Sequence, residues 1–314
     1  MKYYTHGATL ALAWFFATNA ICSIVVALAA HRIGGSARRL LIARLLPALA
    51  SIGFVAALFI PSYVRFEPRD IAEGVDVTLA ATAAIAFAML AAGAVRGASA
   101  WWRAGRRARL WMRAASPVEL KGCAVPAFQI DAPRPLMALA GIVRPQLIVS
   151  TGLIEALTPE ELAAAVAHEL GHHRARDNFK RLAMRAAPDV LRWLGPSHGL
   201  ERRWAAAAEH TADRSASSAG DRTRFALASA LVKVARLMPA QASTGEPIST
   251  LVGGGEIAAR VRDLVNERPS DPTRRSRVVG RLLLGVAVVA LALGYAPMLE
   301  QVHHATEVLV SSLP

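Results

Sequence analysis

A histidine–glutamate motif near the middle of the chain has the spacing of a metal-binding hydrolytic site. The letters HELGH at residues 168–172 match the pattern HExxH. Residues four apart share one face of a helix, so His168 and His172 can reach the same metal ion. Glu169 lies beside that ion and can take a proton from a metal-bound water. His173 lies about 140° from His168 around the helix, and we do not expect it to be a ligand.

A second short pattern, EHTAD at residues 209–213, can complete this site. Catalytic zinc commonly takes three protein ligands and one water, and two histidines with a glutamate form a standard set. Glu209 and Asp213 are again four residues apart. One helix face could therefore present a ligand together with a carboxylate that orients a ligating histidine. The alanines around this pattern favour a packed helix over a solvated acidic face, so Zn²⁺ is the predicted cofactor.

The elements that must position these residues form one block of domain size, residues 115–270. Short apolar stretches separated by Pro or Gly predict a small sheet, at 124–130, 136–142 and 146–149. Thr158, Pro159 and Glu161 have the pattern of a helix start with a capping box. The helices expected from there on cover 162–176, 202–218, 225–238 and 257–265, and residues 244–255 are expected to be a loop.

The rest of the chain is apolar enough for a membrane protein. The 314 residues are 54% hydrophobic and their mean hydropathy is +0.34. Four segments are long enough to cross a bilayer as helices, which takes about 20 residues: 8–30, 45–64, 77–95 and 278–297. We therefore expect three spans and a basic amphipathic connector in 1–114, and a fourth span with a short tail in 271–314. Arg44 lies at the start of the second span, where its side chain can reach the headgroups.

The distribution of arginine predicts the orientation, because cytoplasmic flanks retain basic residues. The net charge is +13, and the basic residues cluster beside the apolar segments. This pattern places both termini outside and residues 96–277 in the cytoplasm, as in a multi-pass protein of the bacterial inner membrane. Trp101, Trp102 and Trp111 lie among the arginines of the connector, which favours contact with the lipid bilayer at headgroup level. We expect no nucleic-acid partner, since no recognition motif accompanies the charge.

The residues also carry a family resemblance. The block PLMALAGIVRPQLIVSTGLIEALTPEELAAAVAHELGHHRARD (135–177), EHTAD and IAARVRDLV (257–265) resemble the integral-membrane peptidases of the beta-lactam-sensor/antirepressor type. Ala212, where the sensors tend to have Cys, is more similar to the related CAAX-protease and heat-shock membrane-protease family. The penicillin-binding domain of the sensors has no counterpart, so we do not expect beta-lactam sensing.

This resemblance implies an α+β, gluzincin-like zinc peptidase domain that is mainly α with a small β-sheet, inserted in a four-span membrane protein. It implies His168, His172 and Glu209 as zinc ligands, Glu169 as general base and Asp213 as a residue behind a ligand. Substrate in such peptidases commonly lies along a sheet edge beside the HExxH helix. The resemblance places that edge at Gln146, Leu147, Ile148, Val149 and Ser150.

The leading hypothesis is thus a membrane-bound zinc metalloendopeptidase that uses zinc-activated water on a protein or peptide substrate. Regulatory proteolysis and membrane-protein quality control are roles that such an enzyme would serve. The alternative is a catalytically inactive, peptidase-like signalling or scaffold protein. A transporter is disfavoured, because the spans carry no obvious charged residue near their middle to couple to an ion.

Overall fold

Three long apolar helices make up the N-terminal part of the chain. The computed structural model describes residues 2–69, 76–237, 249–250, 257–266 and 294–312. Three helices in this part are long and apolar enough to cross a membrane: Lys2–Ala29, Ala37–Phe66 and Val77–Met112. Most of the predicted fourth span, 278–297, lies outside the described residues, and residues 294–311 are helical.

The first helix is α1 (Lys2–Ala29). The second consists of α2 (Ala37–Phe54), a π-helical turn (Val55–Phe59) and α3 (Ile60–Phe66), which follow one another without a break. The third is α4 (Val77–Met112), whose N-cap Asp76 accepts hydrogen bonds from two backbone amides of the first turn. Its 36 residues span about 54 Å at 1.5 Å per residue, well beyond the ~30 Å of a hydrocarbon core.

The predicted basic connector is therefore the second half of α4. Ala104 and Trp111 pack against Ala138, a buried residue of the sheet described next. The ring of Trp111 is partly buried on this sheet face, and its contact with the headgroups stays a prediction. Trp101 and Trp102 remain half exposed, at 51% and 57%. One helix thus links the apolar bundle to the sheet.

The sheet has five strands in the order β1-β2-β4-β3-β5. They are β1 (Ala115–Pro117), β2 (Ala127–Ile130), β3 (Met137–Ala140), β4 (Gln146–Ser150) and β5 (Ser249–Thr250). β2 and β4 run parallel, and the other neighbours are antiparallel. Three strands lie where the apolar stretches predicted them. β5 lies in a segment that was expected to be a loop, and the remainder of that segment, 244–248 and 251–255, is outside the described residues.

The prediction that Gln146–Ser150 forms a sheet edge is wrong, because β4 is a central strand. Ile148 is paired with Phe128 of β2 on one side and with Ala138 of β3 on the other, and it is fully buried. Both sets of main-chain hydrogen-bonding groups are used within the sheet. Apart from the partly buried Gln146, the strand is buried throughout, so a substrate strand cannot add to it.

The remaining elements that the structure describes in this domain are helices. They are α5 (Thr151–Ala156), α6 (Pro159–Ala175), α7 (Asp177–Ala186), α8 (Pro196–Ser217), α9 (Asp221–Leu237) and α10 (Ile257–Asn266), with a 3-10 turn at Val190–Arg192. The predicted capping box at Thr158 and Glu161 is present. The largest core joins β3 and β4 to α6, α8, α9 and α10, for example through Leu147, Val166 and Leu231. The domain is thus mainly helical with a small sheet, as expected.

Candidate metal centre

The helices that carry the two sequence motifs meet at a point of very close approach. A Cβ added at Gly171 of α6 would lie 3.1 Å from the Cα and 3.3 Å from the carbonyl oxygen of Ala212 in α8. Ala212 itself is buried and has the smallest side chain a chiral residue can offer. Small residues on both sides therefore let the helix backbones approach, which brings the side chains on either side of the contact together.

His168, His172 and Glu209 converge at this crossing. Each offers one ligand atom, and these atoms all lie within 4.8 Å of one another. His168 Nε2 lies 3.5 Å from Glu209 Oε2, and His172 Nε2 lies 3.6 Å from Glu209 Oε1. All three side chains are almost completely buried. The structure thus brings the three predicted ligands into one cluster, with both Nε2 atoms facing the same carboxylate.

Each histidine is held from behind by an aspartate. His168 Nδ1 lies 2.9 Å from Asp213 Oδ1, which is the place that the i, i+4 spacing predicted for this carboxylate. His172 Nδ1 lies 2.8 Å from Asp177 Oδ2, and Lys180 binds the other oxygen of Asp177 at 2.9 Å. A carboxylate on Nδ1 fixes the ring and leaves Nε2 to bind a metal ion.

The role of Asp177 was not foreseen from the sequence. Between α6 and α7 the chain passes through Arg176, which has φ 55° and ψ 41°. This left-handed residue ends α6 and starts α7 at once, and the turn sets the first residue of α7 against His172. The aspartate directly after the predicted α6 was visible as a signal, but only the turn shows that it reaches back.

Arg260 of α10 is a further buried residue that the sequence did not single out. Its Nε and one terminal nitrogen donate to the two carboxylate oxygens of Asp213 at 2.8 and 2.7 Å, and the other terminal nitrogen lies 3.1 Å from Glu209 Oε2. Only 2% of its side chain is exposed. It offsets the charge of two buried carboxylates and fixes the one that orients His168.

The cluster leaves polar atoms that suit a metal ion. Among the described residues, His172 Nε2 and both oxygens of Glu169 are buried and have no hydrogen-bond partner, and Glu209 makes no hydrogen bond although Arg260 lies 3.1 Å from its Oε2. Buried polar atoms without partners are rare in native proteins and call for a missing partner. Two imidazole nitrogens and one carboxylate are a donor set that zinc accepts, so the residues fit the predicted ion.

Burial and nearby carboxylates set the ionisation of this site. Burial alone would lower the pKa of His172, but Asp177 and Glu209 outweigh it and raise the pKa to about 10. His168 shifts in the same direction, because Asp213 and Glu209 outweigh the effect of burial. Burial raises the pKa of Glu169, against the opposing influence of both histidines. Glu169 is thus a better proton acceptor than an exposed glutamate.

His210 lies beside this centre without joining it. Its Nδ1 is 3.3 Å from Asp263 Oδ2, and 37% of its side chain is exposed. It is not one of the three residues whose ligand atoms converge.

A cleft of about 550 Å³ opens next to His172. It is lined by the turn after β3, including Gly141 and Val143, and by the start of α7, including Phe179. Asn178 donates to the carbonyl oxygens of Leu139 and Gly141 at 2.9 and 3.1 Å, which ties the two walls together. Val143 and Phe179 thus place exposed apolar side chains in the cleft beside His172, whereas β4 is buried within the sheet.

Residues 102–202 match the model of Peptidase family M48. This stretch contains strands β1 to β4 and the HExxH helix, and it ends before Glu209. The chain is also similar to a protein named Protease HtpX homolog from Archaeoglobus fulgidus, with 45% identity over 47 residues. Protease HtpX homolog 2 from Sulfurisphaera tokodaii is 39% identical over 49 residues. These alignments cover 15% and 16% of this chain, and 14% and 15% of the two relatives.

Over these residues the chain is thus similar to Peptidase family M48 and to two proteins named as proteases. These matches do not bear on the beta-lactam-sensor or CAAX-protease features of the resemblance stated above.

Proposed function

We propose that this chain is a membrane-bound zinc metalloendopeptidase. The observation that carries the proposal is the buried convergence of His168, His172 and Glu209 beside a buried, unpartnered Glu169. The match to Peptidase family M48, which includes the HExxH helix, supports the proposal. The three apolar helices support the membrane location.

The residues suggest a division of roles. A zinc ion bound at this site would supply a Lewis acid for the attacking water and the scissile carbonyl. His168, His172 and Glu209 would hold the ion, while Asp213 and Asp177 lie against the Nδ1 atoms of the two imidazole rings and orient them. Glu169 accepts a proton from the attacking water, and its raised pKa makes the carboxylate basic enough to do so.

The substrate is a protein or peptide, and we place it in the cleft beside His172. Phe179 and Val143 are 57% and 77% exposed there, so apolar substrate side chains have surfaces to contact. Phe179→Ala is expected to raise KM for a peptide and to leave zinc binding intact.

The peptidase domain is proposed to face the cytoplasm. The basic flanks of the apolar helices support this orientation. A reporter fused within residues 240–250 should read as cytoplasmic, and one fused after Pro314 as external. An external signal from a reporter at residue 245 would show the opposite orientation.

Metal binding tests the site directly. Purified protein is expected to hold one zinc ion per chain, and His168→Ala, His172→Ala and Glu209→Ala should each lose it. His198→Ala is the matched control, because His198 is an exposed histidine of the same helix as Glu209. Full zinc content in the three ligand variants would contradict the assignment.

A further inference from the structure

The segment that joins α7 to α8, residues 187–195, is inserted among the apolar helices, and we call it the α7–α8 connector. Val190 packs against a small buried cluster formed by Phe15 of α1 and by Ala86 and Met89 of α4. Ala86 is the middle residue of the predicted span 77–95. The connector thus contacts α4 at the centre of its apolar stretch.

Asn19 places the connector at the same depth from a second helix. Its side-chain nitrogen donates to the carbonyl oxygen of Pro188 at 3.0 Å, and its oxygen accepts from the Val190 amide at 2.9 Å. Asn19 is fully buried and is the middle residue of the predicted span 8–30. Two independent helices therefore put Val190 near mid-span.

Arginines satisfy the carbonyl groups on the way to this depth. Arg96 of α4 donates to the carbonyl oxygens of Arg185 and Ala187 at 3.3 and 3.0 Å, and Arg44 of α2 donates to that of Met184 at 2.9 Å. Arg44 is completely buried, so the expectation that it reaches the headgroups is wrong. Backbone groups at hydrocarbon depth must find protein partners, since no water is there to replace them.

The charges of this region are also paired. Arg44 contacts Asp189 at 2.5 Å and Glu201 at 2.9 Å, and Arg192 lies 3.9 Å from Glu201. Arg44 and Arg192 thus face two carboxylates, while Arg96 donates to backbone carbonyl oxygens; pairing of both kinds is how charged side chains are tolerated within a membrane.

The glycines of α4 allow the close approach. A Cβ at Gly93 would lie 2.6 Å from the carbonyl oxygen of Ala186, and one at Gly97 would lie 2.8 Å from the Cβ of Ala186. The end of α7 therefore rests directly on the backbone of a membrane helix.

The turn after Val190 presents large apolar side chains outward. Trp193 and Leu194 are 61% and 47% exposed. Their amides both bond to the Val190 carbonyl oxygen, at 2.8 and 3.2 Å, so the backbone of this turn needs no water. At about 2 Å per residue of 3-10 helix, Trp193 lies within about 6 Å of Val190 along the turn.

We propose that the α7–α8 connector is a membrane-immersed part of the peptidase domain, with Trp193 and Leu194 in contact with the lipid hydrocarbon of the cytoplasmic leaflet. The hydrocarbon core is ~30 Å thick, so the middle of a span lies about 15 Å from the membrane interface. The connector is covalently continuous with α8, so the helix that carries Glu209 is anchored in the bilayer. This inference depends on the apolar helices crossing a membrane and not on peptidase activity.

Spin-label accessibility tests the depth of the turn. In full-length protein with Cys22 and Cys123 replaced by alanine, a nitroxide is attached at Trp193→Cys. The control is Phe225→Cys, an exposed aromatic position, 49% exposed, on α9 of the peptidase domain. Both proteins are reconstituted into vesicles of phosphatidylcholine and phosphatidylglycerol. Collisions with oxygen, which concentrates in hydrocarbon, are compared with those with a neutral, water-soluble nickel chelate.

The oxygen-to-nickel accessibility ratio is expected to be several-fold higher at 193 than at 225. Equal ratios, or a higher ratio at 225, would overturn the proposal. If Trp193→Cys does not give the helical content of the parent protein, Leu194→Cys is measured instead against the same prediction. Zinc content and proteolysis are not part of this readout, so failure of the proposed activity leaves the result unaffected.

Discussion

Removing Arg260 should destabilise the metal-free protein severely. Arg260→Ala leaves the carboxylate of Asp213, whose side chain is only 5% exposed, without its guanidinium partner, and it removes one of the cationic groups near the fully buried Glu209. Breaking a buried ion pair by removing one partner typically costs about 3–5 kcal/mol. At about 2–4 °C per kcal/mol for a domain of 150–250 residues, the unfolding midpoint should fall by roughly 6–20 °C.

The matched control is Arg262→Ala, two residues further along α10 and exposed to solvent. Such surface changes usually alter stability by no more than ~0.5 kcal/mol. Both variants are stripped of metal with a chelator and unfolded thermally in the same detergent. Zinc affinity is then measured by competition, and Arg260→Ala should lose about 10–100-fold, as for other residues that orient ligands. Equal unfolding midpoints for the two variants would refute the assigned role of Arg260.

Three further outcomes are expected. Gly171→Ala should lower zinc affinity, because its Cβ would press on Ala212 of α8. Gly199→Ala is the control: its Cβ has open space, so it should gain up to ~1 kcal/mol of helix propensity, more than Gly171→Ala gains. Equal changes in stability and zinc affinity for the two variants would contradict the tight α6–α8 crossing. Glu161→Gln keeps a capping acceptor but loses the charged hydrogen bonds from Lys233 and Ser229, so it should cost about 1 kcal/mol above pH 4.5, and the exposed Glu160→Gln much less. Burial alone would raise the pKa of Glu161, but hydrogen bonds led by Lys233 lower it. The stabilisation is therefore present above the ordinary value of 4.5 and is lost as the pH falls through the lowered pKa. Zinc affinity should rise with pH between 6 and 8, because the pKa of His172 is raised to about 10 and zinc binding must release the proton of its ring. A zinc affinity that does not change with pH would contradict the assignment of His172 as a ligand.

The features that the sequence predicted well are local ones. The capping box at Thr158 and Glu161 depends on residues three apart, and the shared face of His168 and His172 on residues four apart. Helical periodicity determines such relations before any tertiary contact forms. The first three predicted apolar segments fall within long apolar helices, because length and hydropathy suffice to predict them.

The features that the sequence did not predict depend on residues that are far apart in the chain. Arg260 contacts Asp213 from 47 positions away, and Arg44 contacts Asp189 from 145 positions away. A pattern of polar residues shows which face of a helix is charged, but not which element covers it. The central position of β4 was missed for a related reason: alternation along Gln146–Ser150 suits any strand, and strand order is set by the parallel crossover from β2 to β4 and the hairpin from β3.

Peptide cleavage by Glu169→Gln protein tests the central proposal most directly. The substitution keeps the size of the side chain and removes the proton acceptor without touching a proposed ligand. Wild type and variant are assayed side by side on a casein-like substrate, with zinc content measured on the same preparations. We predict equal zinc content in both, and cleavage by the wild type alone. Equal cleavage by the two proteins, or no cleavage by zinc-loaded wild type, would contradict the account, and the latter result would favour an inactive, peptidase-like signalling or scaffold protein.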